Sequence, residues 1–192
     1  MDEHNPALAV SAGAPLLSPA LKRLATVVRV LVVLGALALA AVPIWLWSSP
    51  QWVHADAMSA MGMAGQPVTI DRRALWLNAA VGLPALATGF FLLWQLWRLF
   101  TEYANGRVFS RRALRHLRRL ALGVVALGVL APLTRTASIL VLTLGNAPGQ
   151  RQLLVNISSD DYMRVLFGAV LLAIATVMAE AVRVAEDHAG FV

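Results

Sequence analysis

Residues Ala74 to Trp97, ALWLNAAVGLPALATGFFLLWQLW, run for twenty-four positions without a charged side chain. At about 1.5 Å of rise per residue, a helix of this length crosses the roughly 30 Å hydrocarbon core of a bilayer. Trp76 stands at one end of the stretch, and Trp94 and Trp97 stand at the other, as is typical of interfacial aromatic belts. The stretch therefore predicts a transmembrane helix.

The composition of the whole chain agrees with a membrane protein. Hydrophobic residues make up 59% of its 192 positions and charged residues 14%, against about 45–50% and about 25% in a soluble domain. A soluble core of this size cannot bury so much apolar surface, so the excess must face lipid. The absence of cysteine excludes disulfides, thiolate metal sites and cysteine nucleophiles.

Three further apolar stretches predict three more spans, and the fold class is an all-α, integral membrane four-helix transmembrane bundle. The most N-terminal apolar stretch, at about 24–48, could instead be a cleavable signal peptide. Its basic leader is long for a signal peptide, however, and its apolar run continues past the small-residue site at 38–40. The predicted organisation is a disordered cytoplasmic leader at 1–20 and one membrane domain at 21–192, with spans at about 24–48, 74–98, 119–145 and 162–184, external loops at 49–73 and 146–161, a basic cytoplasmic loop at 98–119 and a cytoplasmic tail at 185–192.

The distribution of basic residues predicts the orientation. The net charge is +6, and four spans leave both termini on one side. That side carries eleven of the sixteen basic residues, the other side carries four, and Arg135 lies between them. The positive-inside rule then places both termini and the 98–119 loop in the cytoplasm.

The basic loop is the largest candidate surface. Ser110 is a predicted N-cap, and the helix after it continues into the third span as a cytoplasmic amphipathic extension. Its arginines could contact anionic headgroups or an acidic cytosolic protein, or could act only as a topology determinant. Direct nucleic-acid binding is not expected, because no DNA-binding module surrounds them. The candidate surface residues are Tyr103, Gly106, Phe109, Ser110, Arg111, Arg112, Arg115, Arg118 and Arg119.

Charges within or beside the spans predict two ion pairs. Arg135 lies in the third span, where a lone charge needs a partner, and Asp160 and Asp161 open the fourth span at a similar height. The second predicted pair joins Arg29 to Glu180 near the cytoplasmic ends. Both pairs could serve a proton, anion or signalling site, or could be interhelical ties.

Chemistry-bearing motifs are sparse. The external loop contains His54, Met58, Met61 and Met63, whose soft ligands suit Cu(I), although methionine is also a common filler of apolar surfaces. No metalloprotease, nucleophile-elbow or phosphate-binding-loop motif occurs in the chain. We therefore expect no cofactor and no enzymatic activity.

Two segments carry a family resemblance. The first is LWRLFTEYANGRVFSRRALRHLRRLA at 96–121, and the second is MAEAVRVAEDHAGFV at 178–192. Both resemble the "domain of unknown function 2975" family of small four-span bacterial inner-membrane proteins. The resemblance implies no catalytic residues, and it implies a membrane partner or sensor for a helix-turn-helix transcriptional regulator.

The sequence thus favours a non-enzymatic regulatory or accessory membrane protein with a cytoplasmic basic docking loop. A small transporter or channel subunit that uses Arg135 is one alternative, and an envelope copper-responsive protein is another. A homo-oligomer is compatible with all three functions.

Overall fold

The computed structural model describes residues 19–48, 51, 71–146 and 153–189. Those residues form long helices and include no strand. The helices are α1 (Pro19–Trp47), α2 (Arg72–Ala104), α3 (Arg111–Thr143) and α4 (Ser159–Ala189). All 4 are long and apolar enough to cross a membrane. The predicted all-α, four-helix fold class is confirmed.

The helices are antiparallel, and each packs mainly on its neighbour in the chain. Extensive contacts join α1 to α2, α2 to α3, and α3 to α4, whereas α1 and α4 make at most marginal contact. The start of α1, the α2–α3 loop and the end of α4 therefore lie together, and we call this the basic end; the opposite end is the distal end. Side-chain contacts show how the helices are aligned. Helices α1 and α2 meet at Arg29–Trp97 and Leu39–Gly89, and α2 and α3 meet at Gln95–His116 and Leu92–Gly123. Helices α3 and α4 meet at Arg111–Glu186 and Arg135–Asp161.

Helices α2 and α3 extend beyond a bilayer. Each has 33 residues, or about 50 Å of length against about 30 Å of hydrocarbon. Residues 98–104 belong to α2 and residues 111–119 belong to α3. The predicted basic loop at 98–119 is thus a tight turn of residues 105–110 between two helices. Residues 98–104 extend α2, and this extension is stabilised because Leu99 packs in a buried cluster with Leu117 of α3 and Ala175 of α4.

The turn between α2 and α3 is a Schellman motif. The Arg107 N–H donates to the Glu102 carbonyl at 3.0 Å, and the Gly106 N–H donates to the Tyr103 carbonyl at 3.1 Å. Gly106 has a φ of 77°, a left-handed conformation that favours glycine. Ser110 then caps α3 by accepting from the Ala113 N–H at 3.1 Å. These caps fix the angle at which the two helices meet.

The flanks of the bundle are apolar and open. Only 6% of the most apolar stretch of α1 is buried inside the protein, and the share rises to 17% for α3. Large side chains such as Leu31, Ile44, Phe167 and Val177 are exposed. Such surfaces suit lipid rather than water, and α3 is the most enclosed helix because it lies between α2 and α4.

Candidate functional site

A groove at the basic end separates the first turns of α3 from the last turns of α4. Its volume is about 510 Å³, within the roughly 300–1,000 Å³ range of small-molecule sites. Because Arg111, Arg115 and Arg118 recur on one face of α3, all three reach the groove. Small side chains at Ala175 and Ala179 leave the space on α4. The groove thus combines an apolar wall with a basic rim.

Two of the four rim arginines are already paired with carboxylates. Arg111 forms a bidentate pair with Glu186, in which Nε donates to Oε1 at 3.2 Å and Nη2 donates to Oε2. Arg183 donates to Glu180 at 2.5 Å. These pairs are exposed to solvent, which screens their charges, so neither contributes much to the stability of the fold.

The other two rim arginines carry the net charge of the groove. Among the residues that the structure describes, neither Arg115 nor Arg118 has a carboxylate partner. Both residues are exposed, and both line the groove. The arrangement therefore leaves two guanidinium groups available to an anionic ligand.

A separate surface lies on the outer side of α3, away from the groove. Arg112 and Arg119 are exposed there, and neither lines the groove. Phe109, just before the helix, has 69% of its surface exposed. Within the described ranges, no ion pair involves either of these arginines. We call Phe109, Arg112 and Arg119 the outer surface.

Three of the predicted surface residues have structural roles. Tyr103 is half-buried and packs edge-on against Phe100, with ring centroids 5.4 Å apart. Gly106 and Ser110 cap the two helices. The Tyr-x-x-Gly-x-x-Phe-Ser pattern therefore shapes the turn, and Phe109 is the member left exposed.

The distal end contains a charge cluster around Asp161. The Asp161 carboxylate is 3% exposed and accepts from Arg135 at 3.2 Å and from Arg164 at 2.7 Å. Arg135 also donates to the Asn156 carbonyl at 2.9 Å. Of the two predicted partners of Arg135, the structure brings Asp161 to it. Asp160 is exposed and makes no such contact.

Asp161 also completes a capping box at the start of α4. The Ser158 N–H donates to its carboxylate at 3.0 Å, and the Asp161 N–H donates to the Ser158 hydroxyl at 3.3 Å. One carboxylate therefore caps the helix and forms ion pairs with two arginines. Through this carboxylate, Arg135 of α3 is joined to α4.

The predicted pair between Arg29 and Glu180 is wrong. Glu180 binds Arg183 on its own helix, and the Arg29 guanidinium lies 5.5 Å from the centre of the Trp97 ring on α2. The two residues lie at similar heights, but α1 and α4 are at opposite ends of the row of helices. Arg29 instead makes a cation–π contact.

Three features of the basic end were not predicted. Gln95 of α2 and His116 of α3 are joined by a hydrogen bond of 2.7 Å. The Arg111–Glu186 pair and the groove itself were also missed. The sequence signal for the groove is the shared face of Arg111, Arg115 and Arg118 opposite the small residues of α4.

The copper hypothesis concerns residues that the structure does not describe. His54, Met58, Met61 and Met63 all lie outside the described ranges, as do residues 1–18 of the predicted leader. Within those ranges, no group of three or more His, Asp or Glu side chains could hold a metal ion.

Comparison with known proteins gives one match. The family described as "Protein of unknown function (DUF2975)" matches residues 62–190, which include all of α2, α3 and α4. No curated protein and no solved structure matches the chain. The match confirms the resemblance carried by the segments at 96–121 and 178–192.

Proposed function

The chain belongs to the DUF2975 family, and we propose that it is a non-enzymatic accessory protein of a bacterial inner membrane that binds an acidic cytosolic protein. The outer surface is the proposed docking site, and a helix-turn-helix regulator is the proposed class of partner. The observation that carries the proposal is an exposed aromatic ring, Phe109, three residues before an exposed arginine, Arg112, that has no carboxylate partner in the described ranges.

The position of Phe109 favours a protein partner over lipid. Arg111 lies nine residues before Leu120, the first residue of the uninterrupted apolar part of α3, which is about 14 Å along the helix axis. One headgroup layer is only about 5–8 Å thick. Phe109 therefore extends past the headgroups into water. An exposed aromatic anchor with an arginine nearby, as Arg112 is to Phe109, is typical of energetically important interface residues.

The charge distribution supports a cytoplasmic position for this end. Antiparallel packing brings the basic residues of α1, α2, α3 and the end of α4 to the basic end, whereas the described distal residues include Arg72, Arg73 and Arg164. Retention of basic ends on the cytoplasmic side would orient the protein with both termini inside. The docking surface would then face the cytosol.

Orientation can be measured by cysteine labelling, since the chain has no cysteine of its own. We compare Phe109→Cys at the basic end with Ile157→Cys in the distal loop, because both parent residues are exposed. In intact spheroplasts, a membrane-impermeant maleimide should label the Ile157→Cys variant and spare the Phe109→Cys variant. Permeabilised cells should label both. The reverse pattern in intact spheroplasts would place the basic end outside.

Docking can be measured by photocrosslinking in living cells. Benzoylphenylalanine replacing Phe109 should cross-link to a soluble acidic protein, whereas the same probe replacing the exposed Phe167 of α4 should not. The paired change Arg112→Gln and Arg119→Gln should reduce the adduct at least about tenfold, because it removes Arg112, the arginine near the aromatic anchor, and interface arginines are often dominant. The adduct is identified by mass spectrometry.

The matched control for docking keeps the total charge change the same. The paired change Arg115→Gln and Arg118→Gln also removes two positive charges from α3, but from the groove side. It should leave the position-109 adduct at its normal level. Equal losses from the two paired variants would show that only overall charge matters, and the outer surface would then not be a docking site.

A further inference from the structure

We propose that the groove between α3 and α4 is a binding site for one anionic phospholipid. The phosphate would lie between Arg115 and Arg118, and an acyl chain would lie along the wall formed by Ala175 and Ala179. This inference does not depend on the proposed docking function, because it concerns a different face of α3.

Depth in the bilayer selects a lipid over a soluble ligand. Arg118 and Arg115 lie two and five residues before Leu120, which places them about 3 Å and about 8 Å beyond the hydrocarbon boundary along α3. The phospholipid phosphates occupy that layer, which is about 5–8 Å thick. A lipid could therefore enter sideways from the membrane, with its phosphate already at the height of both guanidinium groups.

Charge complementarity selects an anionic headgroup. Arg111 and Arg183 are each paired with a glutamate, so their charges are largely compensated. Arg115 and Arg118 have no carboxylate partner within the described residues, and guanidinium groups bind phosphate oxygens through charged hydrogen bonds. Basic pockets between membrane helices are a recognised form of headgroup site. A zwitterionic headgroup would bring no net negative charge to this pair.

The shape of the groove provides for the acyl chain. Leu114, Ala175, Ala179 and Val182 line the groove with apolar surface. The Arg111–Glu186 pair fixes the register, so Ala175, eleven residues before Glu186, lies on the membrane side of the groove arginines. Alanines at 175 and 179 recur on one face of α4, where larger side chains would fill the space. A free anion would use the arginines and gain nothing from this wall. A phospholipid would use both parts.

Native mass spectrometry of the delipidated full chain in detergent tests the site. We expect phosphatidylglycerol to bind at least about tenfold more tightly than phosphatidylcholine. The paired change Arg115→Gln and Arg118→Gln should weaken phosphatidylglycerol binding about 10- to 30-fold. The outer-surface pair Arg112→Gln and Arg119→Gln removes the same charge and should keep the wild-type affinity. Equal weakening by both pairs would overturn the proposal, since it would indicate diffuse surface attraction.

Two further arms separate a lipid from other occupants. Inorganic phosphate at matched concentration should not displace phosphatidylglycerol, and complete displacement would reveal a free-anion site instead. Ala179→Trp should fill the groove and abolish the preference for phosphatidylglycerol over phosphatidylcholine, although it leaves the arginines in place. If circular dichroism shows that the paired glutamine variant does not fold, Ala179→Trp provides the test. Unchanged binding to Ala179→Trp would overturn the proposal. A protein dimer that is lost when Arg115 and Arg118 are replaced by glutamine would also overturn the proposal, because a second copy of the chain would then occupy the groove.

Discussion

Replacing Asp161 with alanine should lower the free energy of unfolding by about 3–5 kcal/mol, which is the usual range when one partner of a buried ion pair is removed. The carboxylate is 3% exposed and contacts both Arg135 and Arg164. Without it, the Arg135 guanidinium stays 21% exposed within the bundle, and the Asn156 carbonyl is its one remaining hydrogen-bond acceptor among the described residues. An uncompensated charge in that position is the main source of the loss.

The neighbouring aspartate provides the matched control. Asp160→Ala removes the same chemical group one position earlier, from an exposed site in the first turn of α4. It should cost less than about 1 kcal/mol through the helix dipole alone. Both variants are compared with the parent by following helicity in mixed micelles during titration with a denaturing detergent. Equal stability of the two variants would contradict the role assigned to Asp161.

A more conservative change divides the effect of Asp161 into two parts. Asp161→Asn keeps an oxygen that can accept from the Ser158 N–H but removes the charge that faces Arg135. Loss of an N-cap acceptor alone costs about 0.5–2 kcal/mol. Asp161→Asn should therefore fall between the parent and Asp161→Ala. If it matched the parent, the helix cap rather than the ion pair would account for the effect.

Hydropathy predicted the fold because lipid imposes a simple requirement. A spanning segment must satisfy its backbone internally and present apolar side chains, and stretches such as 74–97 meet both conditions without reference to the rest of the chain. The helical extension at 98–104 was missed, because its composition is mixed and its stability comes from packing of Leu99 against α3 and α4. Local capping was predictable at Ser110 for the opposite reason, since the cap depends on adjacent residues only.

The candidate sites were predictable in height but not in lateral position. Positions along the spans placed Arg135 at the level of Asp160 and Asp161, and the structure shows Arg135 in contact with Asp161. The same reasoning placed Arg29 and Glu180 at one level, but α1 and α4 are not neighbours in the row of helices. The groove was missed for the same reason. Its two walls come from helices whose mutual rotation is set by side-chain packing, which a hydropathy pattern does not record.

Replacing Gly168 with alanine should force α3 and α4 apart and lower the free energy of unfolding by about 1–3 kcal/mol, the usual range for an overpacked core. A Cβ atom at this position would lie 2.8 Å from the backbone nitrogen of Val125 and 3.1 Å from the backbone oxygen of Ala121. Backbone atoms cannot rotate away as a side chain can. The helices must therefore separate, and the contacts between α3 and α4 along the span would weaken.

Gly35→Ala is the control, because it makes the same chemical change where space is available. Its Cβ would meet the nearest atom, a methyl group of Leu93, at 3.4 Å. Since alanine is favoured over glycine in a helix by about 1 kcal/mol, this variant should be as stable as the parent or more so. The same detergent titration measures both glycine variants. A Gly168→Ala protein no less stable than the Gly35→Ala protein would mean that α3 and α4 do not pack through this glycine. The measurement therefore tests a close contact between α3 and α4 separately from the charged residues of the bundle.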